Sequence, residues 1–325
     1  MPVMQAIQIQ ETGGPEVLRL VELPIPQPGP GQVLIRVEAT GVNFVEIYFR
    51  KGVYKAALPF TPGSEAAGTV EELGPGVTGF SAGEAVASTS VLGSYAEYAL
   101  VPAAQLVKVP ASLAPEQAAA AMLQGMTAHY LAYSTFSLKA GETALVHAGA
   151  GGVGLLLTQI AVRLGARVIT TVSTAAKAEL SREAGASDVI LYTEQDFEAE
   201  VKRLTNGKGV DVVYDSVGKT TFEKSLNCLR PRGMLVLFGG SSGPVPPFDL
   251  IQLSSKGSLF ITRPTLWHYL ATRSELEWRA GDVLGWAAKG ELKLRMEHSY
   301  PLANAAQAQT DLEDRKTTGK ILLVP

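Results

Sequence analysis

The segment Gly149-Ala150-Gly151-Gly152-Val153-Gly154 limits what this chain can fold into more than any other. It joins an apolar run, Ala144–Ala148, that reads as a buried strand to an apolar helical stretch, Val153–Leu164, stopped by Gly165. The pattern G-x-G-x-x-G thus occurs in the strand–turn–helix setting that gives it meaning. Gly149 permits the tight turn, Gly151 lets the backbone approach a pyrophosphate, and Gly154 lets the helix pack closely on the strand. The helix N-terminus then offers unpaired N–H groups to the anion. Further strands are expected at Arg167–Val172, Val189–Tyr192, Val210–Tyr214, Met234–Phe238 and Leu259–Thr262, with helices at Ala175–Ala184 and Phe197–Thr205. This alternation predicts an α/β fold with a doubly wound, six-stranded parallel sheet covered on both faces.

Upstream, to about residue 110, the pattern is different. Short strands at Val17–Val21, Val33–Ala39, Ala67–Leu73, Glu84–Ser88 and Tyr95–Val101 are separated by Gly/Pro punctuation such as Pro24–Gly31. They predict a compact β-rich domain. Helices are expected over Glu116–Leu131 and Ser274–Lys289, and a last strand, Lys320–Val324, returns to the first domain. The expected division is 1–125 with 264–325, and 126–263. A chain of 325 residues suits two domains of roughly 100–200 residues each.

Composition removes several classes. Basic and acidic residues number 28 and 31, a net charge of −3, so no basic excess serves nucleic acid or anionic lipid. Cys228 is the single cysteine, which excludes an intramolecular disulfide and a thiolate-rich zinc site. His129, His147, His268 and His298 are scattered, with no pair at helical ligand spacing, and no metal site is expected. Met1–Gln5 lacks signal-peptide character, and no run of eighteen apolar residues occurs. The expectation is a soluble cytoplasmic protein.

The end of the second parallel strand reports on cofactor choice. An NAD site places an acid there for the ribose 2′-hydroxyl. This chain has Thr171-Val172-Ser173-Thr174-Ala175-Ala176-Lys177, with no acid before Glu179. Ser173 can donate to a 2′-phosphate, Lys177 supplies the countercharge, and Tyr192 at the end of the third strand can flank the adenosine. NADPH is the expected cofactor.

A series of motifs then resembles one family over essentially the full length. They are Gly13-Gly14-Pro15-Glu16-Val17-Leu18, Gly41-Val42-Asn43-Phe44 with Tyr48, Arg50, Gly52 and Tyr54, Pro62–Gly68, His147–Gly154, Tyr214–Gly218, Phe238-Gly239, Ser241–Gly243 and Thr262-Arg263-Pro264. The chain resembles the medium-chain dehydrogenase/reductase superfamily, and within it the zinc-free NADPH:quinone oxidoreductases related to zeta-crystallin. The resemblance implies a β-rich GroES-like substrate domain interrupted by a Rossmann domain, an active site in the cleft between them, and a homodimer formed through the Rossmann sheets. Zinc-dependent members carry a cysteine near Val42-Asn43 and a histidine near Ser64, and this chain has neither. Glu46 stands where close bacterial relatives often have Asp, and its extra length bears on pocket shape.

Carried over, the resemblance places Asn43, Phe44 and Tyr48 along the nicotinamide and substrate cleft, with Tyr54 near its mouth. Thr127 and Tyr130 hold the nicotinamide end. Gly152 and Val153 meet the pyrophosphate, and Ser173, Lys177 and Tyr192 the adenosine phosphate. Ser216, Phe238, Ser241 and Arg263 close over the cofactor, and Arg315 adds charge near the adenosine. The implied reaction is hydride transfer from NADPH to a quinone, giving hydroquinone or semiquinone, with Tyr48, Tyr54 and Asn43 as donors toward the developing oxyanion. An NADPH-dependent 2-alkenal or enoyl reductase would use the same scaffold, and a nucleotide-binding structural or RNA-binding role is the alternative of another class. Gly239-Gly240-Ser241-Ser242-Gly243 also spells a hydrolase nucleophile elbow, but the prolines at 244, 246 and 247 deny it the helix it needs.

Overall fold

Proline and glycine cut the N-terminal third into short antiparallel strands. The computed structural model describes residues 2–325 and divides into two units, one running to Met126 and resuming at Ala271–Pro325, the other Thr127–Leu270. In the first, β1 (Val3–Gln8) pairs antiparallel with β2 (Arg19–Pro24). The strand expected at Val17–Val21 starts later, because Pro15 opens a 3-10 turn over Pro15–Val17. The eleven-residue β3 (Gln32–Val42) is the spine of this unit. It is followed by α1 (Phe44–Arg50), β4 (Ala66–Leu73), β5 (Ala85–Ser88), β6 (Tyr98–Pro102), β7 (Val107–Lys108) and α2 (Pro115–Tyr130).

The second unit alternates strand and helix. It contains β8 (Thr143–His147), α3 (Gly152–Arg163), β9 (Arg167–Val172), α4 (Ala175–Glu183), β10 (Asp188–Leu191), α5 (Phe197–Leu204), β11 (Val210–Asp215), α6 (Phe222–Asn227), β12 (Leu229–Leu237), α7 (Ile251–Ser255) and β13 (Phe260–Thr262). All six strands are parallel, in the order β10-β9-β8-β11-β12-β13. The direction of winding reverses between β8 and β11, where such sheets open a crevice for ligands. Leu145, Ile169, Val213 and Leu235 from successive strands share one buried cluster with Phe197, Val201, Phe222 and Leu226 from α5 and α6.

The chain returns to the first unit through α8 (Arg273–Ala288), β14 (His298–Pro301), α9 (Ala305–Glu313) and β15 (Ile321–Val324). There the sheet order is β14-β15-β3-β4-β5-β7, with β6 also paired to β3. The last strand thus docks beside the spine, Leu322 opposite Gly41. Among the described residues no helix is long and apolar enough to cross a membrane.

Candidate functional site

In the second unit the candidate residues gather at the C-terminal ends of the parallel strands. Ala148 has φ of 55°, and the chain then turns through Gly149 into α3. A Cβ on Gly154 would lie 2.3 Å from the Ala148 carbonyl oxygen, so only glycine allows the helix this close to the strand. The N-cap of α3 is Gly151, and no side chain caps it. The first-turn N–H groups, Gly152 and Val153 among them, are therefore left for a ligand.

The neighbouring loops complete the rim. After β9, Ser173 is half-buried and its carbonyl accepts from Thr193 Oγ1 at 3.0 Å. Thr174 caps α4 by accepting from the Lys177 N–H at 3.3 Å, which fixes the turn that carries Lys177. Tyr192 is exposed just past β10. After β11, the Ser241 N–H donates to the Ser216 carbonyl at 3.1 Å and the Phe238 N–H to the Asp215 carbonyl at 2.9 Å, so Ser216, Phe238 and Ser241 form one cluster. Segment 239–243 is followed by irregular chain, not by a helix. Thr127 is buried, and the buried Tyr130 ring stacks on Tyr269 at 4.4 Å. Burial raises the Tyr130 phenol above its usual range, and the nearby Arg263 partly opposes this. Arg263 is exposed and donates to the Leu237 carbonyl at 3.1 Å.

The first unit holds the aromatic candidates. Phe44 and Tyr48 lie on α1 with ring centroids 6.4 Å apart. Tyr54 meets Tyr48 edge-on at 5.3 Å and Phe49 at 5.5 Å, and is 39% exposed. Arg315 also belongs to this unit, exposed just past α9 with φ of 59°.

Asn43 occupies a different position from the one expected of a donor. It is buried, its amide nitrogen donates to Glu65 Oε2 at 3.0 Å and, more weakly, to the Gly41 carbonyl at 3.5 Å, and its oxygen accepts from Lys320 Nζ at 2.8 Å. Lys320 also pairs directly with Glu65, whose other oxygen accepts the Leu123 N–H. Sequence reasoning missed Glu65 and Lys320. No local sequence signal marks the pair; in the fold Gly41 leaves room for it, since a Cβ there would fall 1.9 Å from Glu65 Oε2.

Glu46 closes the same network. Its carboxylate accepts from the Asn43 N–H at 2.7 Å and from Ser64 Oγ at 3.2 Å, capping α1. Burial pushes its carboxyl from the ordinary 4.5 up to about 7, against the opposing pull of Lys320. Glu46 therefore holds the helix of Phe44 and Tyr48 in place. Among the described residues, no three His, Cys, Asp or Glu side chains converge as metal ligands would.

A β-rich unit with an inserted dinucleotide-type sheet defines a dehydrogenase or reductase. The alcohol dehydrogenase GroES-like domain matches residues 29–111, and the zinc-binding dehydrogenase domain matches residues 152–274. The chain is 46% identical to a quinone oxidoreductase of Pseudomonas aeruginosa over 98% of this chain and 99% of that one. It is 45% identical to a 2-haloacrylate reductase of a Burkholderia species over 99% of each. The structure of the Escherichia coli quinone oxidoreductase complexed with NADPH superposes with a TM-score of 0.97 at 42% identity, covering 99% of this chain and 100% of that one. The chain belongs to the quinone oxidoreductase family of the medium-chain dehydrogenase/reductase superfamily.

The raised Glu46 carboxyl has a definite consequence for stability. Its folded value lies above its unfolded one, so the native state holds the extra proton between about 4.5 and about 7. Its contribution is present at acid pH and is lost as pH rises through that window, at up to about 1.4 kcal/mol per pH unit. Glu46→Gln keeps an acceptor for the Asn43 N–H and removes the titration. Thermal melts should show the variant gaining on the wild type as pH rises from 5 to 8. A constant difference in Tm across that range would refute the assignment.

Proposed function

We propose that this protein is an NADPH-dependent quinone reductase. The observation that carries the reading is the uncapped N-terminus of α3 behind its glycine turn, followed by a second strand whose end bears Ser173 and Lys177 in place of an acid. Those residues suit a pyrophosphate and a 2′-phosphate. Gly152 and Val153 hold the pyrophosphate by backbone N–H groups. Ser173 and Lys177 hold the 2′-phosphate, with Tyr192 against the adenosine. Ser216, Phe238 and Ser241 pack over the dinucleotide, and Thr127, Tyr130 and Arg263 order its nicotinamide end.

When bound, NADPH supplies the hydride. The protein's part is to position the acceptor and steady the oxygen on which charge develops. Tyr48 and Tyr54 are the donors toward that oxygen. Asn43, with its amide committed to Glu65 and Lys320, orients α1 and so the two rings. A quinone delocalises the charge it gains, which suits a site without a strong general acid. One observation favours a second reading: a full-length relative at 45% identity is a 2-haloacrylate reductase, which points to activated alkenes as acceptors.

A homodimer through the second unit's sheet completes the proposal. β13 is an edge strand with Phe260 exposed, and Leu250 and Ile251 on and before α7 are 72% and 68% exposed. An apolar sheet edge with open backbone groups is a template for pairing. The single cysteine, Cys228, is free and buried, which suits a chain that uses no disulfide, and we place the protein in the cytoplasm.

The deciding assay follows NADPH oxidation by the purified protein with 1,4-benzoquinone, 1,4-naphthoquinone, 2-alkenals and 2-haloacrylate. Quinones should turn over; turnover of alkenes with no quinone reduced would replace the first reading by the second. Lys177→Ala should weaken NADPH by about tenfold or more, the loss of a charge-assisted contact, and leave NADH nearly unchanged. Equal losses would remove Lys177 from the 2′-phosphate. Phe260→Asp should turn a dimer into a monomer by light scattering, and an unaltered mass would count against the β13 edge.

A further inference from the structure

In the second unit, three neighbouring strand ends are tied together by side chains as well as by backbone. His147 ends β8, Thr171 lies one residue before the end of β9, and Asp215 ends β11. His147 Nδ1 is 2.9 Å from Thr171 Oγ1, and its Nε2 is 2.9 Å from Ser225 Oγ on α6. Ser225 Oγ donates to Asp215 Oδ2 at 3.0 Å, and Thr221 Oγ1 donates to the same oxygen at 2.7 Å. Asp215 Oδ1 accepts from the N–H groups of Val217 and Gly218 at 2.8 and 3.0 Å. His147, Thr171, Ser225 and Asp215 are all buried, and the Phe197 ring closes on the imidazole edge-on at 4.9 Å.

The donor and acceptor rules orient every proton in this chain. The Val217 and Gly218 N–H groups and the Thr221 and Ser225 hydroxyls converge on Asp215, whose two oxygens serve as acceptors. Ser225 therefore gives its hydroxyl hydrogen to Asp215 and offers His147 only lone pairs. The imidazole must then carry its hydrogen on Nε2. Burial holds His147 below the ordinary imidazole range, so the ring is neutral and Nδ1 accepts from Thr171. No member is left unsatisfied, and none can be reversed alone.

The chain crosses the point where the winding of the sheet reverses, β8 beside β11. The three strand-end residues, His147, Thr171 and Asp215, each precede by one or two positions a loop assigned above to the nucleotide, and Ser225 on α6 links two of them. The glycine turn begins two residues after His147, and its Gly149 N–H donates to the Thr171 carbonyl at 3.0 Å. Ser173 follows Thr171 by two, and Ser216 adjoins Asp215. We propose that the Thr171–His147–Ser225–Asp215 chain is a positioning device. It fixes the spacing of the three nucleotide loops and so sets dinucleotide affinity without touching the ligand. The proposal rests on the NADPH reading above.

The test uses the full-length protein with Ser225→Ala, Thr171→Val, His147→Phe and His147→Gln. Calorimetric titration measures Kd for NADPH and for NADH, and thermal melts run alongside. Removing a link should weaken both nucleotides in parallel by about tenfold, as expected when a supporting shell lets a site loosen. This separates the device from Lys177, whose loss acts on NADPH alone. His147→Gln, with an amide NH2 to donate and a carbonyl to accept, should recover most of the affinity that His147→Phe loses. Melting points that fall while both Kd values stay within twofold of wild type would overturn the proposal and leave a purely structural role.

A second readout reports on the wild-type protein itself. Spectra of 15N-histidine-labelled wild type, with the His147 signal assigned by its loss in His147→Gln, should show a neutral ring protonated on Nε2. The Nδ1–H tautomer or an imidazolium at neutral pH would overturn the chain. Wild type that bound neither nucleotide would overturn the NADPH reading itself, and this inference with it. Tight wild-type binding with unmoved variants overturns the inference alone.

Discussion

The approach of α3 to β8 sets the whole nucleotide end of the second unit. With no side chain at Gly154, the helix backbone comes within a Cβ's reach of both the Ala148 carbonyl and the Gly149 Cα. That contact decides how deep the helix N-terminus sits, and therefore where its unpaired N–H groups point. The left-handed backbone at Ala148 turns the chain out of the strand at once. An apolar helix, with Leu155, Leu156, Leu157 and Ile160 all buried, then holds the arrangement against the sheet.

In the first unit the organising element is a buried ion pair. Lys320 on its way into β15 meets Glu65 just before β4, and Asn43 at the head of α1 bonds to both. A buried pair stabilises only when its remaining valences are satisfied. Here Glu65 also receives the Leu123 N–H, so the head of α1, the approach to β15 and α2 converge on one carboxylate. The resemblance places the metal ligands of zinc-dependent members near Val42-Asn43 and Ser64. In this chain the same neighbourhood is filled by fixed charges and amides that satisfy one another. Glu46 belongs to this economy of hydrogen bonds, which is why a carboxyl with a raised pKa is tolerated beneath α1.

The second unit was legible residue by residue because its code is redundant. Apolar strands, helices stopped by Gly165 and Gly185, and the glycine turn all specify the same βα alternation, and the observed strands lie within a few residues of the expected ones, apart from β12, which starts five residues earlier. The first unit was less so. The seven residues of α1, rich in aromatic and β-branched side chains, are poor helix formers, and the helix exists through the Asn43–Glu46 cap. β1 and β14 are short strands on one margin of their sheets and carry little periodicity. The cofactor loops were readable from position within a motif. The Lys320–Glu65 pair was not, since its partners are 255 residues apart and only folding makes them neighbours. The polar members of the His147 chain lie in strands β8, β9 and β11 and in α6, where sequence gives each a bland reading as a tolerated core residue.

A crystal structure of this protein with NADPH bound would examine the reading most directly. The pyrophosphate should lie on the N–H groups of Gly152 and Val153, and the 2′-phosphate against Ser173 and Lys177. A dinucleotide bound with its 2′-phosphate away from both side chains, or with its pyrophosphate off the α3 terminus, would contradict it.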